Sequence, residues 1–211
     1  MRRVSKALTV LFLLPAGLLA QHWEVGASGG YSFFSDMKVT AGAASGTTGF
    51  GPGPVFGGVL ANALNSRFAG EIRYAFIKDE MRVSSGSSRA TATSQSHALH
   101  YDVLIHATNA ESSFRPFLAL GAGIKMFRGT GDEPSYQPLS NLIVLTHASQ
   151  TVPLISAGGG IKIPVSKRAL VRMDIRDYIS PVPDKLLATP SGTIGGWTHN
   201  IVVQFGVSTI F

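Results

Sequence analysis

The sequence predicts an all-β fold: an eight-stranded antiparallel up-and-down transmembrane β-barrel. Three observations carry the prediction. Charge is scarce, residues 197–211 alternate apolar and polar over their whole length, and the connectors between candidate strands alternate long and short.

Only 14% of the 211 residues are Asp, Glu, Lys or Arg, while 45% are hydrophobic and 24 are Gly. Ordinary soluble domains carry roughly 25% charge. A soluble domain this poor in charge lacks the polar surface to cover itself, whereas a wall facing lipid does not need it. Cysteine is absent, which excludes a disulfide framework and a thiolate metal site.

The N-terminus reads as a secretory signal. Arg2, Arg3 and Lys6 form a basic start, residues 7–14 an apolar stretch, and Pro15 and Gly17 a break before Leu18-Leu19-Ala20. Cleavage after Ala20 is expected, leaving residues 21–211 as one barrel domain. The apolar stretch falls short of the roughly 20 residues of a spanning helix. Cleavage leaves 15 basic against 12 acidic residues, a net charge of +3. No basic cluster interleaved with aromatics points to nucleic acid.

Beyond the signal no stretch is long and apolar enough for a membrane helix. The other way to satisfy every backbone N–H and C=O inside a bilayer is a closed barrel. Its strands need only about ten residues each, with alternate side chains facing lipid. In residues 197–211, Trp197, His199, Ile201, Val203, Phe205, Val207, Thr209 and Phe211 share one face. Residues 168–179 set Val171, Met173 and Ile175 opposite Arg172, Asp174 and Arg176. Residues 67–76 set Phe68, Ile72, Tyr74 and Phe76 opposite Glu71 and Arg73. Residues 97–107 alternate Leu99, Tyr101, Val103 and Ile105 with His100, Asp102, Leu104 and His106. Weaker strands are expected at 22–34, 53–64, 114–127 and 152–165, where small residues blur the pattern.

Short connectors then fall at 65–66, 109–113 and 166–167. Long ones fall at 35–52, 79–95, 128–151 and 180–196. Tight turns at one rim and long loops at the other are the plan of a membrane barrel with both termini at the short-turn rim. The long connectors, rich in Gly, Ser, Thr and Pro, read as flexible, solvated surface.

If the alternation holds, Glu24, Glu71, Asp102 and Asp174 point inward together with Arg73, Lys162, Arg172 and Arg176, and the charges cancel. Buried ions must pair to offset desolvation. Glu71 and Arg172 lie about five residues above their preceding short turns, and Arg73 and Asp174 about seven. The third and seventh strands face each other across a lumen just wide enough for side chains to fill. A crossed ion-pair network plugging the interior is expected. Outward aromatics gather near strand ends: Trp23, Phe68 and Phe211 at one rim, Phe33, Phe56, Tyr74, Phe76 and Trp197 at the other. These suit two interfacial girdles.

The signal, the eight strands with alternating connectors, and a final strand ending in Phe211 resemble the small OmpA/OmpX-type outer-membrane barrels over essentially the whole mature chain. The stretch Arg115-Pro116-Phe117-Leu118-Ala119-Leu120-Gly121-Ala122-Gly123 looks like a fifth-strand pattern of that group. The resemblance implies a cell outer-membrane location, contact with outer-membrane lipids, and Phe211 serving as a signal to the barrel-assembly machinery. Some eight-stranded barrels are lipid A deacylases, with a His-x-Ser pair on the outer wall. Here His199 has the place, but position 201 is Ile, and His147-Ala148-Ser149 falls in a long connector. His97, His100 and His106 lie on one strand, where side chains spread apart rather than converge on a metal. No catalytic residue, cofactor or metal ligand is therefore expected. The expected role is a monomeric, non-enzymatic envelope protein that is structural or presents surface loops. The alternatives are a narrow channel for small solutes and a lipid A-modifying enzyme.

Overall fold

The computed structural model describes residues 23–131, 137–190, 193–194 and 196–211. The signal at 1–20 lies outside them. Described in chain order are β1 (Trp23–Phe34), β2 (Met37–Ala41), β3 (Ala44–Phe50), β4 (Gly53–Ala63), β5 (Phe68–Ser85), β6 (Ser88–His106) and β7 (Arg115–Gly129). After these come β8 (Val144–Leu145), β9 (Ser149–Pro164), β10 (Ala169–Pro181), β11 (Leu187–Ala188), β12 (Thr193–Ile194) and β13 (Trp197–Ile210).

Eight of these close a ring in the order β1-β4-β5-β6-β7-β9-β10-β13, every neighbour antiparallel. The closing pair runs from Glu24 opposite Ile210 to Phe34 opposite Asn200. Ring closure removes the unpaired edges that an open sheet exposes. All eight predicted strands are present, with β5 and β6 extending well past their expected upper ends.

Two of the short turns are built alike. The side-chain oxygen of Asn65 accepts the backbone N–H groups of Arg67 (2.9 Å) and Phe68 (2.8 Å). At the other, Ser166 Oγ accepts those of Arg168 (3.3 Å) and Ala169 (3.1 Å). Such side-chain acceptors make a tight reversal independent of loop length.

At the opposite end the expectation of flexible loops is corrected. Residues 79–95 continue β5 and β6 as a paired hairpin to Ser85 opposite Ser88, and residues 37–50 form a second hairpin. Each reverses over two residues whose first is a glycine at positive φ, Gly42 (59°) and Gly86 (57°). This is the hairpin geometry that matches strand twist. One face of each hairpin is buried: Met37, Val39 and Phe50 on the first, Met81, Val83, Ala90 and Ala92 on the second. Leu139, Leu142, Ile143, Leu145, Leu186 and Leu187 from the remaining two connectors join them in one apolar cluster. Gln137 fixes this lid by donating to the Leu145 carbonyl (3.0 Å) and accepting its N–H (2.8 Å).

The molecule is inverted relative to a water-soluble barrel. The outer wall exposes Phe56, Leu118, Leu120, Phe205 and Val207, each more than half exposed, while Arg73, Arg172 and Arg176 are buried to within 1%. An apolar band of this kind suits lipid rather than water.

Candidate functional site

The interior is where the sequence departs furthest from an ordinary core. Alternation carries the charged side chains of β1, β5, β6, β9 and β10 inward, and the register then sets like charges side by side on the wall. Glu71 lies opposite Asp102, and Arg172 opposite Lys162. Like neighbours repel, so partners have to be found across the lumen.

The contacts run that way. Arg73 reaches Asp174 at 3.1 Å, Arg172 reaches Glu71 at 2.8 Å, and Arg176 reaches Asp102 at 2.8 Å. Lys162 pairs with Glu24, which also holds Arg172 at 2.9 Å. Along the wall, Arg73 meets Glu71 at 2.8 Å and Arg172 meets Asp174 at 2.9 Å. Asp174 is the hub: its two oxygens accept from Arg73, Arg172 and Arg176. All eight residues singled out from the sequence lie in this one network, which ties strand to strand across the ring.

Polar neutral groups complete the layer. Gln204 accepts from Arg73 at 3.1 Å and donates to Ser28 at 2.9 Å. His100 lies between Asp102 (2.9 Å) and the Tyr178 hydroxyl (3.1 Å). The Phe117 ring lies under the cations of Lys162, Arg172 and Arg176, each 5.7 to 5.8 Å from its centroid. At the short-turn mouth a cavity of about 50 Å³ remains beside Glu24, His106, Arg115 and Lys162. That is room for little more than water.

Three interior groups escaped the sequence reading. Lys125 is fully buried; its ammonium donates to Asn200 at 3.0 Å and sits 4.5 Å and 4.8 Å from the centroids of Phe34 and Phe127. Asp79, placed in a loop by the sequence, is buried and accepts from Ser94 and, at 3.1 Å, from Ser96. Tyr178, two residues beyond Arg176 on the same face, is fully buried with its hydroxyl on His100. Above Lys125 the interior turns apolar, with Phe50 stacked on Phe127 at 4.9 Å and tilted against Phe34 at 5.2 Å.

The remaining candidates are scattered. His97 is on the outer wall, 2.8 Å from the Tyr74 hydroxyl. His106 Nδ1 lies 3.3 Å from the Arg67 carbonyl at the short-turn end. His199 faces outward and donates from Nδ1 to Asp177 at 2.7 Å, a partner the sequence did not reveal. Ser35 Oγ beside it accepts the His199 backbone N–H at 3.2 Å. Phe211 is exposed and held through its backbone, exchanging hydrogen bonds with Trp23 at 2.9 and 3.0 Å.

No family model matches the chain, and no curated protein matches it. Solved structures do. Neisserial surface protein A is similar with a TM-score of 0.52 and 11% identity, covering 90% of this chain and 97% of that one. The N-terminal β-barrel domain of Pseudomonas aeruginosa OprF gives a TM-score of 0.49 and 13% identity over 90% and 97%. At such identity the likeness to Neisserial surface protein A speaks for fold alone, and it agrees with the ring closure described above. In fold, the chain is a closed eight-stranded antiparallel up-and-down β-barrel, similar to that of Neisserial surface protein A.

Proposed function

We propose that the chain is a non-enzymatic outer-membrane protein whose plugged barrel is a rigid base for surface-presented hairpins. In this reading residues 1–20 direct export, Phe211 is recognised by the barrel-assembly machinery, and the mature barrel stands in the outer membrane as a monomer. The short turns face the periplasm and the hairpins face out.

The observation that carries the reading is the double filling of the interior. A lumen crossed by ion pairs and roofed by packed side chains argues against the channel alternative. The His199–Asp177 pair has a base and its orienting group, but nucleophilic catalysis also needs a hydroxyl directed at the base. Ser35 Oγ accepts the backbone N–H of His199, and among the described residues no hydroxyl is hydrogen-bonded to the His199 ring, which favours a polar interfacial role.

The test is to purify the full chain from outer-membrane fractions and compare boiled with unboiled migration on gels, then record it in planar bilayers. A heat-modifiable protein without stepwise conductance is expected. Discrete channel openings by the wild-type protein would refute the plugged-lumen reading. Mass spectrometry of lipid A after expression tests the enzymatic alternative, with unaltered acylation expected.

A further inference from the structure

The outer wall of β5, β6, β7 and β9 changes chemistry within one row of the sheet. Cross-strand register aligns Phe76, His97, Met126 and Thr151 in one row and Lys78, Gln95, Arg128 and Ser149 in the next row towards the hairpins. Below these lie Tyr74, Leu99 and Ile124, so the wall under the polar row is aromatic and aliphatic. The polar row offers an ammonium, an amide, a guanidinium and a hydroxyl, with no carboxylate among them.

Lys78 and Arg128 are exposed, and among the described residues neither is in an ion pair. Asp79 points inward, and Glu80, the nearest outward acid along β5, turns its side chain over Gly51 on the other side. Gln95 is held in place: its Nε2 is 3.4 Å from His97 Nε2, and His97 is in turn 2.8 Å from the Tyr74 hydroxyl. Two strand spacings, about 9.5 Å, separate the Lys78 and Arg128 backbones. Both long side chains can therefore reach a single anion centred over Gln95. A guanidinium fork and a lysine point charge are the usual pair for a phosphate. By contrast the outward carboxylate on β10, Asp177, is taken up by His199.

We propose that Lys78, Gln95, Arg128 and Ser149 form a binding site for the phosphate of an outer-leaflet lipid headgroup, whose acyl chains lie on the apolar wall beneath. The site rests on the orientation given above, with the hairpins outward. It fixes the depth of the barrel relative to its annular lipid on this wall.

The experiment uses the refolded full chain in zwitterionic detergent, with native mass spectrometry reading retained lipid. The probes are diphosphorylated lipid A and the same lipid after phosphatase treatment. Wild type is expected to retain the phosphorylated form selectively. Lys78→Gln/Arg128→Gln is expected to weaken retention about twenty-five-fold, each cation near an anionic surface being worth about fivefold. The hairpin control Lys38→Gln/Arg89→Gln is expected to bind as wild type. Equal retention by the double variant, or of the dephosphorylated lipid, overturns the proposal. Displacement by millimolar inorganic phosphate alone also overturns it, by making a soluble anion the ligand. A gel shift on boiling is read for each variant, so that failure of this site in a heat-modifiable protein is distinct from failure of the barrel itself.

Discussion

Asp174 gives the sharpest test of how the lumen is held. Its Oδ1 accepts from Arg73 (3.1 Å), Arg172 (3.2 Å) and Arg176 (3.3 Å), and its Oδ2 from Arg172 Nε (2.9 Å). Asp174→Asn keeps the shape but sets an amide N–H₂ against guanidinium donors and leaves one uncompensated positive charge. Removing one member of a buried pair costs about 3–5 kcal/mol. Each guanidinium keeps another carboxylate: Glu71 for Arg73, Glu24 and Glu71 for Arg172, and Asp102 for Arg176. The lower end, about 3 kcal/mol, is therefore expected. Arg73→Met alone leaves the opposite charge imbalance and should cost a similar amount. The double variant restores neutrality, so the two losses should fall short of additivity by about 2 kcal/mol, within the range measured for residues in one network. Equilibrium urea unfolding from phospholipid vesicles, followed by the fluorescence of Trp23 and Trp197, measures all four corners of the cycle. Additivity to within about 0.5 kcal/mol would show that the two side chains are independent, and the crossed-network argument would fall.

Other perturbations separate the layers. Phe50→Ala empties the roof where Phe50 stacks on Phe127; a loss of about 3–5 kcal/mol is expected, with faster protease cleavage in the hairpins of vesicle-inserted protein. Gly121→Ala would place a Cβ 2.0 Å from Asp102 Oδ1 and 2.2 Å from the Tyr101 carbonyl oxygen. Strain of about 1–3 kcal/mol should appear as a lower urea midpoint. Deleting Phe211 removes an exposed ring held only through its backbone. The purified barrel should unfold at nearly the wild-type urea concentration, while its yield in the outer-membrane fraction of cells drops several-fold.

What could be read from the sequence depended on contrast between the two faces of each strand. In β10, Val171, Met173 and Ile175 alternate with Arg172, Asp174 and Arg176, so strand, face and height were all legible, and the same was true of Glu71 and Arg73 on β5. In β7 the inward series Phe117, Ala119, Gly121, Gly123, Lys125 and Phe127 backs an outward series, Leu118, Leu120, Ala122, Ile124 and Met126, that is also apolar. With no contrast to mark the faces, Lys125 was invisible. The hairpin extensions were missed for a related reason. Ala90-Thr91-Ala92-Thr93 does alternate, and its alanines are buried, but a run of small and hydroxylated residues reads equally as a solvated loop. Partners such as Asp177 for His199 depend on which strands adjoin, and one strand's sequence does not contain that.

The position of Lys125 explains why the two halves of the interior belong together. Below it, charges are held by partners on facing strands; above it, Phe34, Phe50 and Phe127 are joined by side chains from the hairpins and the two remaining connectors. A buried ammonium with no carboxylate in ion-pair contact among the described residues is costly, and here it is accommodated by Asn200 and by the faces of Phe34 and Phe127. Aromatic faces attract a desolvated cation by about 2 kcal/mol, so the roof and the ionic plug share one residue that neither can release alone. Strands of 18 and 19 residues in β5 and β6 exceed the roughly ten needed to span. Their upper halves stay ordered because they bury Met81, Val83, Ala90 and Ala92 on this roof. In the role proposed above, the hairpins hold their shape through this burial on the plugged base.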